Sequence, residues 1–167
     1  MPAPLFPANA HRYDPYRTFR FQVLIDGKPV AGLRKMSALK MTTEAVGWRS
    51  AGDPSHERRL PGGTKFDPIT LEQGLTHDPV FEEWANLVNK LDDRIKLAKF
   101  RRNIVIQVLN EQGSPALAYT IRSAWVSEFQ ALPELDAGAT NKVGIQIIKL
   151  EHEGWVRDTA VTEPTEF

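Results

Sequence analysis

The chain has 167 residues, 21 Lys+Arg against 21 Asp+Glu, and no cysteine. That length suits one domain, a size at which roughly 68–70% of the unfolded surface is buried. Zero formal charge excludes a global basic footprint for nucleic acid, and the missing cysteines exclude disulfides, thiolate metal sites and cysteine nucleophiles.

A neutral surface offers little colloidal repulsion, which favours self-association. No apolar run approaches a membrane span, and Met1-Pro2-Ala3-Pro4-Leu5-Phe6-Pro7 has neither a basic n-region nor an apolar h-region. The expectation is a soluble protein made and kept in the cytoplasm until it is assembled or released, without direct membrane binding.

Four of the 12 prolines fall in the first 15 residues, so residues 1–15 read as an extended arm. Phe19, Phe21, Val23 and Ile25 then alternate with Arg20, Gln22 and Asp26. The alternation stops at Asp26-Gly27, a type I′ hairpin signal, with Val30 to Leu33 as the returning strand. Next, Leu39, Met41 and Thr43 alternate with Lys40, Thr42 and Glu44, giving a strand whose second face is polar and wet. Gly47 to Gly63, rich in Gly, Pro, Ser and charge, reads as a long interaction loop.

Leu60-Pro61-Gly62-Gly63-Thr64-Lys65-Phe66 reads as a turn, and Ile69-Thr70-Leu71-Glu72-Gln73-Gly74-Leu75-Thr76 as the strand it feeds. Asp78 followed by Pro79 is an N-cap with proline at the first helical position, and Val80, Phe81, Trp84, Leu87, Val88 and Leu91 follow at helical spacing. Ile104 to Leu109, a turn at Asn110 to Gly113, and Ala116 to Val126 form a second predicted hairpin, with Tyr119, Ile121 and Trp125 on one face. A last strand from Val143 to about His152 switches apolar parity between Ile147 and Ile148, which suggests a bulge or a strand changing sheets. Six or seven strands and one helix make a mainly β fold, a β-rich α+β barrel or sandwich of two packed antiparallel sheets with one flanking α-helix. Residues 16–156 form the single domain and 157–167 a loose polar tail.

Catalytic patterns are scarce. His11, His56, His77 and His152 are scattered singly and make no metal-ligand spacing. Gly62-Gly63-Thr64-Lys65 lacks the order of a phosphate loop, no Gly-x-Ser-x-Gly elbow occurs, and Glu57, Glu72 and Glu82 single out no acid/base pair. Phe81 and Trp84 read as core, whereas Arg58-Arg59 and Arg101-Arg102 read as solvated charge or as contacts to a neighbouring subunit. No enzyme activity, cofactor or metal is expected.

Taken together, Asp14-Pro15-Tyr16-Arg17 with Phe19-x-Phe21, Ile25-Asp26-Gly27 with Val30-Ala31-Gly32, Thr43-Glu44 with Val46, the Leu60 to Thr76 segment, Trp125-Val126-Ser127, Leu132 to Ala137 and Ile147 to Trp155 resemble the tail-tube family. These are the inner-tube proteins of contractile phage tails and related extracellular contractile injection systems. The resemblance covers residues 13 to 160, and the longer, more charged connection Asp92 to Arg102 leans toward an injection system. It implies a tail-tube or Hcp-like subunit that closes into hexameric rings with continuous sheets. The rings stack into a tube that a sheath drives through a target envelope, with cargo protein or DNA in the lumen and baseplate and cap proteins at the ends. The particle is then a phage tail or an extracellular or cell-associated machine. On this reading Trp48, Arg49, Asp53, His56, Glu57, Arg58 and Arg59, with Asp14, Tyr16 and Arg17, make contacts between rings or subunits. Lys40, Thr42, Glu44, Thr70 and Glu72 face the lumen, although an ordinary outward-facing sheet has the same pattern. A small-ligand β-barrel and a translocated effector enzyme remain as alternative classes.

Overall fold

The computed structural model describes residues 16–52, 55–89 and 100–162. The expected arm at 1–15, Leu91 and the end of the tail lie outside them. Among the described residues are ten strands and one helix. The strand count exceeds six or seven because several strands are only two to four residues long and the predicted long loop contributes strand as well.

Strand β1 (Phe21–Ile25) turns at Asp26 and Gly27 into β2 (Lys28–Pro29). Both turn residues have positive φ, 52° and 78°, as the type I′ signal requires. The return is shorter than expected. Val30 still donates its N–H to the Val23 carbonyl at 2.9 Å, but Gly32, at φ 69°, redirects the chain into β3 (Leu33–Met36) elsewhere.

The other sheet strands are β6 (Ile69–Gly74), β7 (Arg102–Leu109), β8 (Pro115–Gln130), β9 (Ile145–Glu151) and β10 (Trp155–Arg157). The ladder order is β2-β1-β7-β8-β9-β6-β3, with β10 also on β8 and every pairing antiparallel. The first half of β8 lies between β7 and β10, and its second half pairs with β9. One 16-residue strand therefore serves two half-sheets. They enclose a single core of Val23, Ile25, Ile69, Leu71, Ile104, Ile121, Ile148 and Leu150, closed by Phe81 and Trp84 from helix α1 (Val80–Asn89). Each aliphatic side chain so buried contributes about 1.5–3 kcal/mol. The helix starts as predicted, with Asp78 Oδ1 accepting the Val80 N–H at 3.2 Å.

Two features depart from the alternation read in the sequence. In β8, Ala124 pairs with Arg102 and Ile121 with Ile104, so β8 carries one extra residue, and Ser123 has φ 51°. This bulge puts Ala124 and Val126 into the core beside Ile121. Trp125 therefore leaves the face of Ile121 and meets Phe100 edge-on, with ring centroids 6.5 Å apart. In β9 no parity switch exists. Its ladder to β6 is unbroken from Leu150↔Ile69 to Ile145↔Gly74, and Gln146, Ile148 and Leu150 point inward. The expected bulge lies instead on the partner strand, between Val126 and Glu128. The inward polar residue is satisfied, since Gln146 Nε2 donates to Gln73 Oε1 at 2.5 Å and Gln73 Nε2 donates to the Ala31 carbonyl.

Candidate functional site: an uncovered hairpin

Among the described residues, strands β4 (Met41–Trp48) and β5 (Arg58–Phe66) pair only with each other and stand off the ladder as a hairpin. The expected loop Gly47 to Gly63 is thus about half strand, with a tip confined to residues 49–57. Pro61-Gly62-Gly63 forms no turn. Two-stranded pairing tolerates Pro61 because it lies at a register shift, between Thr43↔Thr64 and Ala45↔Pro61, where ladder bonding is already interrupted. Gly62 fits closely there, because a Cβ would stand 3.0 Å from Val46 Cγ2 and 3.2 Å from the Glu44 carbonyl oxygen.

Every residue of β4 is exposed, on both faces. The pairs Val46↔Leu60 and Trp48↔Arg58 place two side chains from each strand on one face of the distal half, with the Arg58 guanidinium 6.0 Å from the Trp48 ring centre. Thr42, paired with Lys65, and Glu44 extend the same face toward the body. Met41, Thr43, Ala45 and Gly47 share the opposite face with Arg59, and the Glu57 carboxylate covers Gly47, 2.5 Å from where a Cβ would be. Arg58 and Arg59 therefore serve different faces, which adjacent basic residues in a presumed loop did not reveal.

The root of the hairpin is held by the end of β9. Asp67 donates its N–H to the Lys40 carbonyl at 3.1 Å, and Lys40 Nζ lies 4.0 Å from Asp67 Oδ2. His152 Nδ1 accepts the Gly154 N–H at 3.2 Å, so Nε2 carries the proton donated to the Asp67 carbonyl at 2.9 Å. Phe66 packs on Gly154, where φ is 124° and a Cβ would approach the ring to 3.1 Å.

The remaining sequence candidates fall elsewhere. Arg17 Nε bonds Glu111 Oε1 at 2.9 Å, tying the approach to β1 to the β7–β8 turn, and Tyr16 adjoins it. Thr70 and Glu72 lie on the outer face of β6, where register sets Glu72 beside Lys35 and Thr70 beside Lys149, itself opposite Glu128. The five lumen candidates thus divide between the hairpin, with Lys40, Thr42 and Glu44, and this sheet face. Arg49, His56 and Glu57 are exposed at the tip, while Asp14 and Asp53 lie outside the described residues. Single-sequence patterning missed Val46, Leu60, Lys149 and Glu128, whose placement follows from register alone. Among the described residues no group of three or more His, Cys, Asp or Glu is placed to hold a metal, and no helix is long and apolar enough to cross a membrane.

A β-rich subunit with a hairpin that pairs with no other strand among the described residues has the form of an assembly module. The chain belongs to the family of T4-like virus tail tube protein gp19, whose model matches residues 17–156. It is a structural tail-tube protein. A chain of the anti-feeding prophage baseplate has the same fold, with a TM-score of 0.71 and 22% identity over 88% of this chain and 97% of that one. So does a chain of the sheath-tube complex of PVC, an extracellular contractile injection system, with a TM-score of 0.71 and 18% identity over 86% and 91%. Hcp1 from Flavobacterium johnsoniae is a more distant likeness, with a TM-score of 0.55 and 13% identity over 89% and 100%. A search of curated proteins gave no match. The tail-tube resemblance and the mainly β, Hcp-like fold expected from sequence both hold.

Proposed function

We propose that this chain builds the inner tube of a contractile phage tail or injection particle as stacked hexameric rings. A sheath surrounds the tube, and baseplate and cap proteins meet its ends. The supporting observation is the β4–β5 hairpin, exposed on both faces and, among the described residues, unpaired on both outer edges. An isolated two-stranded hairpin is marginal in water, and an open edge is an association device once a neighbour supplies the missing contacts. The hairpin is the contact between rings. The outer face bearing Thr70 and Glu72, with opposite charges set side by side across strands, lines a lumen through which hydrated protein or DNA slides. The protein acts by assembling in the cytoplasm and then as part of the particle, without catalysis or cofactor.

Negative-stain electron microscopy with sedimentation tests this reading. Six-membered rings, and tubes at higher concentration, are expected. A compact monomer throughout the micromolar to millimolar range would overturn it.

A further inference from the structure

Two recesses on the described surface, one apolar and one of mixed polarity, differ in charge, and the mixed one complements the hairpin tip. The ladder of β7 on β8 ends at Ala124. From Trp125 to Gln130, β8 therefore has a strand on one side only among the described residues. On the open side, between α1 and the strand, lies a groove of about 330 Å3. Its apolar lining includes Ala85, Val88, Val126 and Phe129, and its one charged side chain is Glu128. The other recess, of about 310 Å3, is floored by Phe21, Val108 and Leu117 and rimmed by Arg17 and Arg20.

The tip offers an indole with a guanidinium alongside, Trp48 under Arg58, on the face that also carries Val46 and Leu60. Arg17 and Arg20 share the single Glu111 carboxylate and keep a net positive rim, which repels a cation travelling with the ring, whereas Glu128, set opposite Lys149 across the strands, is the one carboxylate that lines the other groove and attracts it. A cavity of about 150 Å3 already accepts benzene, so the α1–β8 groove has room for an aromatic side chain. We infer that the hairpin of one subunit seats Trp48 in the α1–β8 groove of a second copy, with Arg58 against Glu128. This inference rests on the hairpin being the connector between rings, and it names the surface that receives it. Because donor and acceptor surfaces differ, each copy has one of each to offer, and the contact repeats from copy to copy.

Charge exchange on the full chain tests the pairing. Arg58→Glu and Glu128→Lys should each raise the subunit concentration needed for tubes by about tenfold or more, since each sets like charges together. The double variant should return it to within about threefold of wild type, because the pair is restored with its sense reversed. Circular dichroism of the subunits should match wild type in all three, as both residues are exposed. A second readout uses the cysteine-free background. Trp48→Cys and Val88→Cys chains, mixed and oxidised, should give a cross-linked dimer absent from either alone. Single reversals that form tubes as wild type does, a double variant that stays defective, or an effect of Arg58→Glu without one of Glu128→Lys would each overturn the groove as the receptor. A wild-type chain that remains monomeric would remove the tube reading itself, and with it this inference.

Discussion

The indole nitrogen of Trp84 donates to the main-chain carbonyl of Phe100 at 2.7 Å, both partners being buried. This bond ties the helix to the segment that enters β7, while the ring fills the end of the core. Trp84→Ala should cost about 3–5 kcal/mol, as truncation of a buried aromatic does. Trp84→Phe keeps most of the packing but leaves the carbonyl without its donor, for about 1–3 kcal/mol. Urea titration measures both, and an unchanged midpoint for Trp84→Ala would show that the helix is not seated as described.

Gln73 and Gln146 form a polar pair inside an aliphatic wall. Gln146→Leu should destabilise by about 1–3 kcal/mol, because the Gln73 side chain stays buried with one bond missing. Gln73→Leu should cost more, since the anchor to the Ala31 carbonyl goes as well. In the double variant the two costs should be clearly less than additive, as expected for groups that satisfy each other. Additive costs in a double-mutant cycle would mean that the amides act independently.

Local signals were legible where one residue type solves one local problem. Asp78-Pro79 marks the helix start because a side-chain acceptor and a missing N–H both suit a first turn. Asp26-Gly27 marks the turn because both positions need positive φ. Signals that depend on a partner strand were not legible. Pro61, Gly62 and Gly63 look like a turn until pairing with β4 makes them a bulged edge. Trp125 continues an alternation that Ser123 breaks, and Ile145 and Ile147 on the outer face of β9 imitate a parity switch beside an inward Gln146. The candidate contact residues were found as a charged stretch, but their division between two faces is a matter of register.

Two glycines should respond to Ala by different amounts. Gly154 has φ 124° and supports Phe66, so Gly154→Ala should cost about 1–3 kcal/mol through backbone strain and loosen the hairpin root. At Gly144 the new Cβ would run into Leu75 Cδ1, yet Leu75 is exposed and can change rotamer, for less than about 1.5 kcal/mol. Thermal unfolding of the two variants should separate them, and a larger loss at Gly144 would contradict the packing described.

Shortening the tip should separate folding from assembly. With residues 49–57 replaced by Asn-Gly, Trp48 and Arg58 still end the ladder as paired positions, a spacing a two-residue turn closes. Subunit stability should change by less than about 1 kcal/mol, because closure entropy varies slowly with loop length. Tube formation, read by electron microscopy, should fall. If tubes persist at low and high salt alike, the tip is not the connector.

Arg58 and Arg59 should not be equivalent. Arg59→Glu changes the face shared with Gly47 and Glu57, whereas Arg58→Glu changes the face of Trp48. Pelleting of tubes at fixed protein concentration should therefore fall much further for Arg58→Glu. Equal losses would indicate that the tip acts through net charge rather than through one face.

Strand β8 also has a mechanical meaning. At about 3.4 Å per residue its 16 residues run roughly 54 Å, and its ladder bonds lie across that direction. A pull along the strand loads those bonds in shear, many at once, whereas a pull across it would open them one after another like a zip. Force entering one half-sheet reaches the other along the covalent backbone of a single strand and has no flexible linker to stretch first. A subunit wired in this way transmits a sudden thrust with little delay and little internal deformation.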